Sequence, residues 1–282
     1  MSHGDGESEE LECVLPLHTR LRGGEVLVGS WMQFGSPAVM EYLSTMGFDW
    51  LTVDLEHTDI TIERFAELMR GAGGRIPVFA RVKENAPLDI RQVLDVGAVG
   101  VIVPLIRTAT DARAAVAAAK YPPLGERGYA YCRANDYGRA FESYAATANE
   151  TTIVLVMVET RDAVENIDKI LEVQGLDGVV IGPYDLSGSY GTPGQTDTAQ
   201  MRDSLGRVGE ACLRHGKTAG VHVVVPTADS LERAVRQGFR FIAAGMDTVF
   251  LEHGGKTCLE LVMSVTGEVT DSPWIPARTN GR

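Results

Sequence analysis

No apolar run in the 282-residue sequence approaches the roughly 18 residues that a membrane span needs. The N-terminus opens on acids and lacks the basic and apolar regions of a secretory signal, so the chain is expected in the cytoplasm, with no membrane partner. Cysteine is sparse, and Cys13, Cys132, Cys212 and Cys258 show neither CxxC nor zinc-ligand spacing. That scatter excludes a disulfide framework and suits reduced thiols. Basic residues are outnumbered, 26 against 38 acidic ones, and the net charge of -12 would repel a phosphate backbone. Nucleic acid is therefore excluded as a partner. Part of the imbalance lies in Asp5, Glu7, Glu9, Glu10 and Glu12, and residues 1–24 read as an acidic, flexible segment. Residues 266–282, with SPW and IPA, read as an irregular tail.

What the sequence does contain is a recurring unit: a short β-branched run, a polar or glycine-rich break, then a segment of helical period. Eight strands are expected, at Val26–Trp31, Trp50–Leu55, Val78–Val82, Gly100–Leu105, Thr152–Val158, Gly178–Gly182, Ala219–Val223 and Phe241–Ala244. The helices expected after them are Pro37–Met46, Ile62–Ala72, Pro87–Val96, Ala109–Lys120, Arg161–Glu172, Ala199–His215, Thr227–Gln237 and Val249–Val265. Gly47, Gly97, Gly175, Gly216 and Gly238 stand where a helix would stop in the left-handed conformation. Near-continuous apolar strands alternating with helices imply parallel strands covered by helices. Eight such units favour one α/β domain, a (β/α)8 barrel over residues 25–265. An open doubly wound sheet is the rival, weakened by the missing glycine-rich dinucleotide fingerprint. One stretch, Tyr121 to Gly138, is too long for a simple connection and reads as a cover, a subunit contact or a structural excursion.

In such a barrel the chemistry sits at the C-terminal ends of the strands. Asp54, Glu56 and His57 follow strand two; Arg81 and Lys83 close strand three; Glu159 ends strand five; Gly182, Pro183, Tyr184 and Asp185 follow strand six; His222 lies on strand seven and Asp247 follows strand eight. Glu159 and Asp185 would top neighbouring strands about 4.8 Å apart. Two carboxylates without a nearby thiol suit a hard cation such as Mg2+ or Mn2+, whereas singly each acid would serve a helix N-terminus. Arg81 in an apolar strand needs an anion, either a substrate carboxylate or an ion pair with Glu56 or another strand-end acid. Lys83 is an alternative Schiff-base amine. His57 suits proton transfer near neutral pH, and His222 suits a barrel-top hydrogen bond. Asp95 ends helix three on the wrong side of its own barrel and could act only across a subunit interface.

The ordered motifs DLEH (Asp54 to His57), ARV (Ala80 to Val82), VGAVGVIVP, YPPLGERG, VMVET (Val156 to Thr160) and IGPYDLS (Ile181 to Ser187) resemble the HpcH/HpaI family of metal-dependent class II pyruvate aldolases. The match is collinear from about Gly29 to Leu251. The resemblance implies a barrel of the phosphoenolpyruvate/pyruvate superfamily. It also implies a homohexamer, a trimer of dimers, with the last helix exchanged between subunits. Carried over, Glu159 and Asp185 are the metal ligands, for Mg2+ or Mn2+ with Co2+ as a further option. Arg81 contacts the pyruvyl oxygens, His57 is the acid/base, and Asp54 and Asp95 are acids associated with that histidine and the neighbouring subunit. Gly182, Tyr184 and Asp185 border the substrate carboxylate. Tyr184 stands where a small residue is frequent, and Met157 where some members carry glutamine.

The implied reaction is reversible cleavage of a 4-hydroxy-2-oxo acid, such as a 2-dehydro-3-deoxy sugar acid, to pyruvate and an aldehyde through a metal-stabilised enolate. Three alternatives stay open: a C–C lyase acting on a β-hydroxyacyl-CoA, a biosynthetic carboligase that decarboxylates oxaloacetate, and a non-catalytic barrel that binds 2-oxo acids.

Overall fold

The structure, a computed structural model, describes residues 17–266. Residues 17–22 form a first helix, α1. Eight strand–helix units follow: β1 (Leu27–Met32), α2 (Pro37–Leu43), β2 (Trp50–Asp54), α3 (Ile62–Ala72), β3 (Val78–Arg81), α4 (Pro87–Val96), β4 (Gly100–Val103) and α5 (Ala109–Ala119). A short 3-10 helix (Arg133–Gly138) and α6 (Phe141–Thr151) then precede β5 (Ile153–Val158), α7 (Arg161–Glu165) and α8 (Ile167–Leu171). The chain continues through β6 (Gly178–Ile181), α9 (Pro183–Ser189), α10 (Ala199–His215), β7 (Thr218–Val223), α11 (Ala228–Arg236), β8 (Phe241–Met246) and α12 (Asp247–Thr266). All adjacent strands pair in parallel, and β8 returns to β1, closing the barrel in sequence order.

The strands have two buried faces because their side chains alternate between two apolar clusters. One cluster joins Val53, Ala80, Val101, Val156, Val179, Val221 and Ile242 to the helices. The other fills the barrel interior with Leu27, Trp31, Trp50, Phe79, Ile102, Leu155, Met157, Val180 and Phe241. Trp50 stacks on Phe241 at 3.7 Å between centroids, and Phe79 meets both rings edge-on. Gly29 makes room for them, since a Cβ there would come within 2.1 Å of the Trp50 ring.

The interior cluster also takes in Leu17 and Leu21 of α1, which are 2% and 5% exposed. The last part of the segment expected to be flexible, residues 17–24, therefore begins with a helix whose apolar face joins the barrel core. His18 ties it down through a 3.1 Å hydrogen bond to Asp177. Residues 1–16, with Cys13 and the acidic run, lie outside the described residues, as does the expected tail beyond Thr266.

The expected strands agree with the observed ones to within one or two residues, and the five glycine stops all have positive φ. The exceptions are instructive. The long stretch Tyr121 to Gly138 ends in the 3-10 helix, and after it comes an unexpected helix, α6, whose sequence FESYAATANET has only a weak apolar stripe. Expected helix Arg161–Glu172 is broken at Asn166 (φ -94°, ψ 9°) into α7 and α8. Helix α12 departs most from globular packing, with Leu251, Leu259, Leu261, Val262 and Val265 all exposed.

Candidate active site at the barrel mouth

Alternate strands β1, β3, β5 and β7 contribute Trp31, Arg81, Met157 and His222 to one layer near the C-terminal end of the barrel, as inward positions of odd strands do. Arg81 lies 5.2 Å from the Trp31 ring centroid and 3.9 Å from the Met157 sulfur. The His222 ring stacks on Trp31 with centroids 4.7 Å apart. These four side chains form the floor on which the strand-end acids stand.

Asp54 and Arg81 are register partners on β2 and β3. The guanidinium donates from Nε to Asp54 Oδ1 at 2.9 Å and from Nη2 to Oδ2 at 2.6 Å, a two-point ion pair. Of the partners the sequence left open, the structure shows a strand-end acid. Burial works against both charges, but the pairing outweighs it, holding the Asp54 carboxyl below its ordinary value and the Arg81 guanidinium above its own. Asp54 Oδ1 also accepts the backbone N–H groups of Glu56 and His57, so it shapes the turn that carries His57 without touching the imidazole. Arg81 Nη1, the remaining donor arm, lies 3.2 Å from Glu56 Oε2.

His57 is exposed, with Nε2 3.6 Å from Glu56 Oε2. Glu159 is its opposite, 2% exposed. Burial raises its carboxyl, the Leu105 N–H and Arg81 partly counter that, and the charges of Glu56 and Asp185 add to it, leaving the group at about 7. Leu105 reaches Glu159 Oε1 from a left-handed backbone (φ 56°), a strained state for a leucine, and no sequence signal marks it. Gly182 is needed beside this carboxylate, since a Cβ there would stand 3.1 Å from Glu159 Oε2 and 3.0 Å from Met157 Cε. Pro183 then starts α9, leaving Tyr184 and Asp185 exposed in its first turn.

Glu56, Glu159 and Asp185 thus share one neighbourhood with a single arginine, two of whose donors go to Asp54 and the third towards Glu56. Glu56 Oε2 is buried without a hydrogen bond, and burial pushes its carboxyl up as well. Crowded carboxylates that outnumber the single guanidinium among them fit a hard divalent cation. No group of three or more His, Cys, Asp or Glu with ligand geometry occurs among the described residues. Glu159 and Asp185 would therefore need oxygen ligands from water or substrate to complete a coordination shell.

The other sequence candidates fall elsewhere. Lys83 lies past the end of β3 and is exposed, unlike an amine desolvated for Schiff-base chemistry. Asp247 is a structural carboxylate, buried and accepting the N–H groups of Gln33, Phe34 and Thr248. Asp95, at the end of α4, pairs with buried Arg127 at 2.8 Å. It borders an open hollow of about 340 Å³ that is also lined by Gln92, Cys132, Arg133 and Tyr137. Gln33, which donates to Asp54 Oδ2 at 3.4 Å, and Trp31 were not singled out from sequence. An inward aromatic at the last turn of β1 is the one available signal for Trp31.

The family model for HpcH/HpaI aldolase/citrate lyase matches residues 27–254. The 2-keto-3-deoxy-L-rhamnonate aldolase of Escherichia coli (strain K12) is 38% identical over 242 residues, covering 83% of this chain and 88% of that protein. The crystal structure of an HpcH/HpaI aldolase/citrate lyase family protein from Burkholderia cenocepacia J2315 superposes with a TM-score of 0.83 at 30% identity, covering 88% of this chain and 98% of that one. The crystal structure of citrate synthase SbnG gives 0.78 at 30% identity, covering 89% and 99%. Barrel, strand-end acids and similarity over most of the sequence agree, and the chain belongs to the HpcH/HpaI aldolase/citrate lyase family.

Proposed function

We propose that the protein is a divalent-metal-dependent aldolase that reversibly cleaves a 2-keto-3-deoxy sugar acid to pyruvate and an aldehyde. The observation that carries this reading is the acidic cluster of Glu56, Glu159 and Asp185 set against Arg81 at the end of a closed barrel. The similarity to a 2-keto-3-deoxy-L-rhamnonate aldolase supports the substrate class. Glu159 and Asp185 would hold the cation, Mg2+, Mn2+ or Co2+. When bound, it supplies Lewis-acid stabilisation of negative charge on the 2-oxo acid oxygens.

The protein's own groups do the rest. Arg81, fixed by Asp54, presents Nη1 to the pyruvyl oxygens, where charge builds as the bond breaks. The first turn of α9 offers backbone N–H groups at Tyr184 and Asp185 beside Gly182, suited to the substrate carboxylate. His57 takes the proton from the C4 hydroxyl as the C3–C4 electron pair moves to the pyruvyl fragment, and it returns that proton in the synthetic direction. Its exposure suits a base that meets substrate at the rim. Asp95 is remote from this cluster and would assist His57 only from a neighbouring subunit. The hollow beside it and the exposed apolar residues of α12 are surfaces that a hexamer with exchanged last helices would cover.

The test is pyruvate release from a panel of 4-hydroxy-2-oxo acids, first with EDTA and then with Mg2+, Mn2+ or Co2+ restored. Cleavage that stops with EDTA and returns with metal is expected. The likeness to a citrate synthase favours one second reading, a carboligase that adds an enolate to another carbonyl. Absence of cleavage by the folded protein under every metal would shift the assignment there.

A further inference from the structure

His222 has no part in the acid–arginine network, yet it stands in the layer that carries it. Strand β8 lies between β7 and β1, and the residue it sets opposite His222 is the small Ala243. Its small side chain leaves room for the His222 ring to reach Trp31, where it stacks with an interplanar angle of 13°. Nε2 lies 3.3 Å from the Gly245 carbonyl oxygen. A carbonyl only accepts, so Nε2 carries the proton. Burial depresses the imidazole to about 4; the Gly245 carbonyl and Asp54 oppose that fall and Arg81 adds to it. The ring is therefore neutral near pH 7, and Nδ1 bears a lone pair. Nδ1 has no protein donor among the described residues, and it is not among the polar atoms sealed from solvent.

The proposed pyruvyl end of the mouth is claimed by β3, β5 and β6, through Arg81, Glu159 and Asp185. Strands β7, β8, β1 and β2 border the rest of the mouth, with His222 on β7 and Trp31 on β1. Resting on the aldolase reading, we propose that His222 is a specificity-determining residue. Its Nδ1 accepts a hydrogen bond from a hydroxyl on the substrate tail beyond the cleaved bond, and the Trp31 ring packs against the carbon chain of that tail. A lone-pair acceptor repels a carboxylate and gains nothing from an alkyl group. The aldehyde class selected is thus an uncharged hydroxyaldehyde, in preference to an alkyl aldehyde or a semialdehyde ending in a carboxylate.

The full chain with Mn2+ is assayed by retro-aldol kcat/KM on three 4-hydroxy-2-oxo acids that differ only beyond C4, with hydroxylated, alkyl and carboxylate-ended tails. Wild type should prefer the hydroxylated tail over both others. His222→Leu should reduce the hydroxylated-over-alkyl preference about tenfold, the scale of one neutral hydrogen bond. His222→Gln, which keeps an acceptor, should restore part of it. An unchanged preference in His222→Leu overturns the proposal. So does a wild type without the preference, a result independent of whether either variant folds. Exchange of pyruvate methyl protons by wild type in D2O separates the two levels: exchange without tail preference removes only the role of His222, whereas no exchange removes the aldolase reading and this proposal with it.

Discussion

Asp54 and Arg81 face each other across adjacent strands as register partners and close a two-point ion pair, with Arg81 only 8% exposed and Asp54 fully buried. The pair solves two problems. It neutralises a guanidinium that the barrel interior could not otherwise tolerate, and it leaves Nη1 as the single arm pointed towards the strand-end acids.

Removing one partner of such a pair leaves the other charge buried and uncompensated. Asp54→Ala is expected to destabilise the fold by about 3 kcal/mol or more. It should also disorder the turn before His57, whose N–H groups lose their acceptor. Urea unfolding of wild type and variant measures the first effect. A loss under about 1 kcal/mol would mean that solvent, rather than Asp54, compensates Arg81.

Glu159 behaves differently because it is buried among like charges. Glu159→Gln relieves that repulsion, so thermal stability is expected to hold or rise while metal-dependent pyruvate release falls at least 100-fold. Measuring melting temperature and turnover on the same preparation checks both halves. A variant that loses stability and activity together would make Glu159 a structural acid whose main role is to hold the strained Leu105 N–H.

At the opposite end of the barrel, Asp177 gives a pH dependence with a definite sign. Burial raises its carboxyl, but the His18 hydrogen bond, the nearby Lys120 ammonium and the Val154 N–H together outweigh burial and lower it. An aspartate depressed in the folded state stabilises the fold above its unfolded value of about 3.9 and loses that contribution as pH falls through the folded value. Asp177→Asn should therefore flatten the acid limb of melting temperature against pH below about pH 4. Parallel limbs for wild type and variant would assign acid unfolding to other carboxylates.

The barrel was legible because each strand is short, apolar on both faces and followed by a helix, and several of those helices stop at a glycine. Glu159 and Arg81 stood out as polar residues at apolar strand ends, and Asp185 as an acid just after one, in the first turn of α9. The rest depended on tertiary context. The apolar pair Leu17 and Leu21 was hidden in a segment dominated by upstream acids, and α6 lacks a strong stripe. Which anion Arg81 takes was undetermined until the β2–β3 register fixed Asp54 opposite it. The Leu105 amide, a backbone group, leaves no trace in residue identity.

Assembly supplies the last prediction. Of residues 251–266 in α12, all but Met263 are exposed, including the apolar Leu259, Leu261, Val262 and Val265. A helix with this much exposed apolar surface is expected to find its stabilising contacts outside its own barrel. Leu261→Arg would place a charge on that surface while leaving the barrel core, to which Leu261 does not belong, intact. Light scattering should show wild type as an oligomer and the variant shifted to smaller species, with the same helical content by circular dichroism. A wild-type monomer would sink the exchanged-helix hexamer, and with it any role for Asp95 at a neighbouring His57.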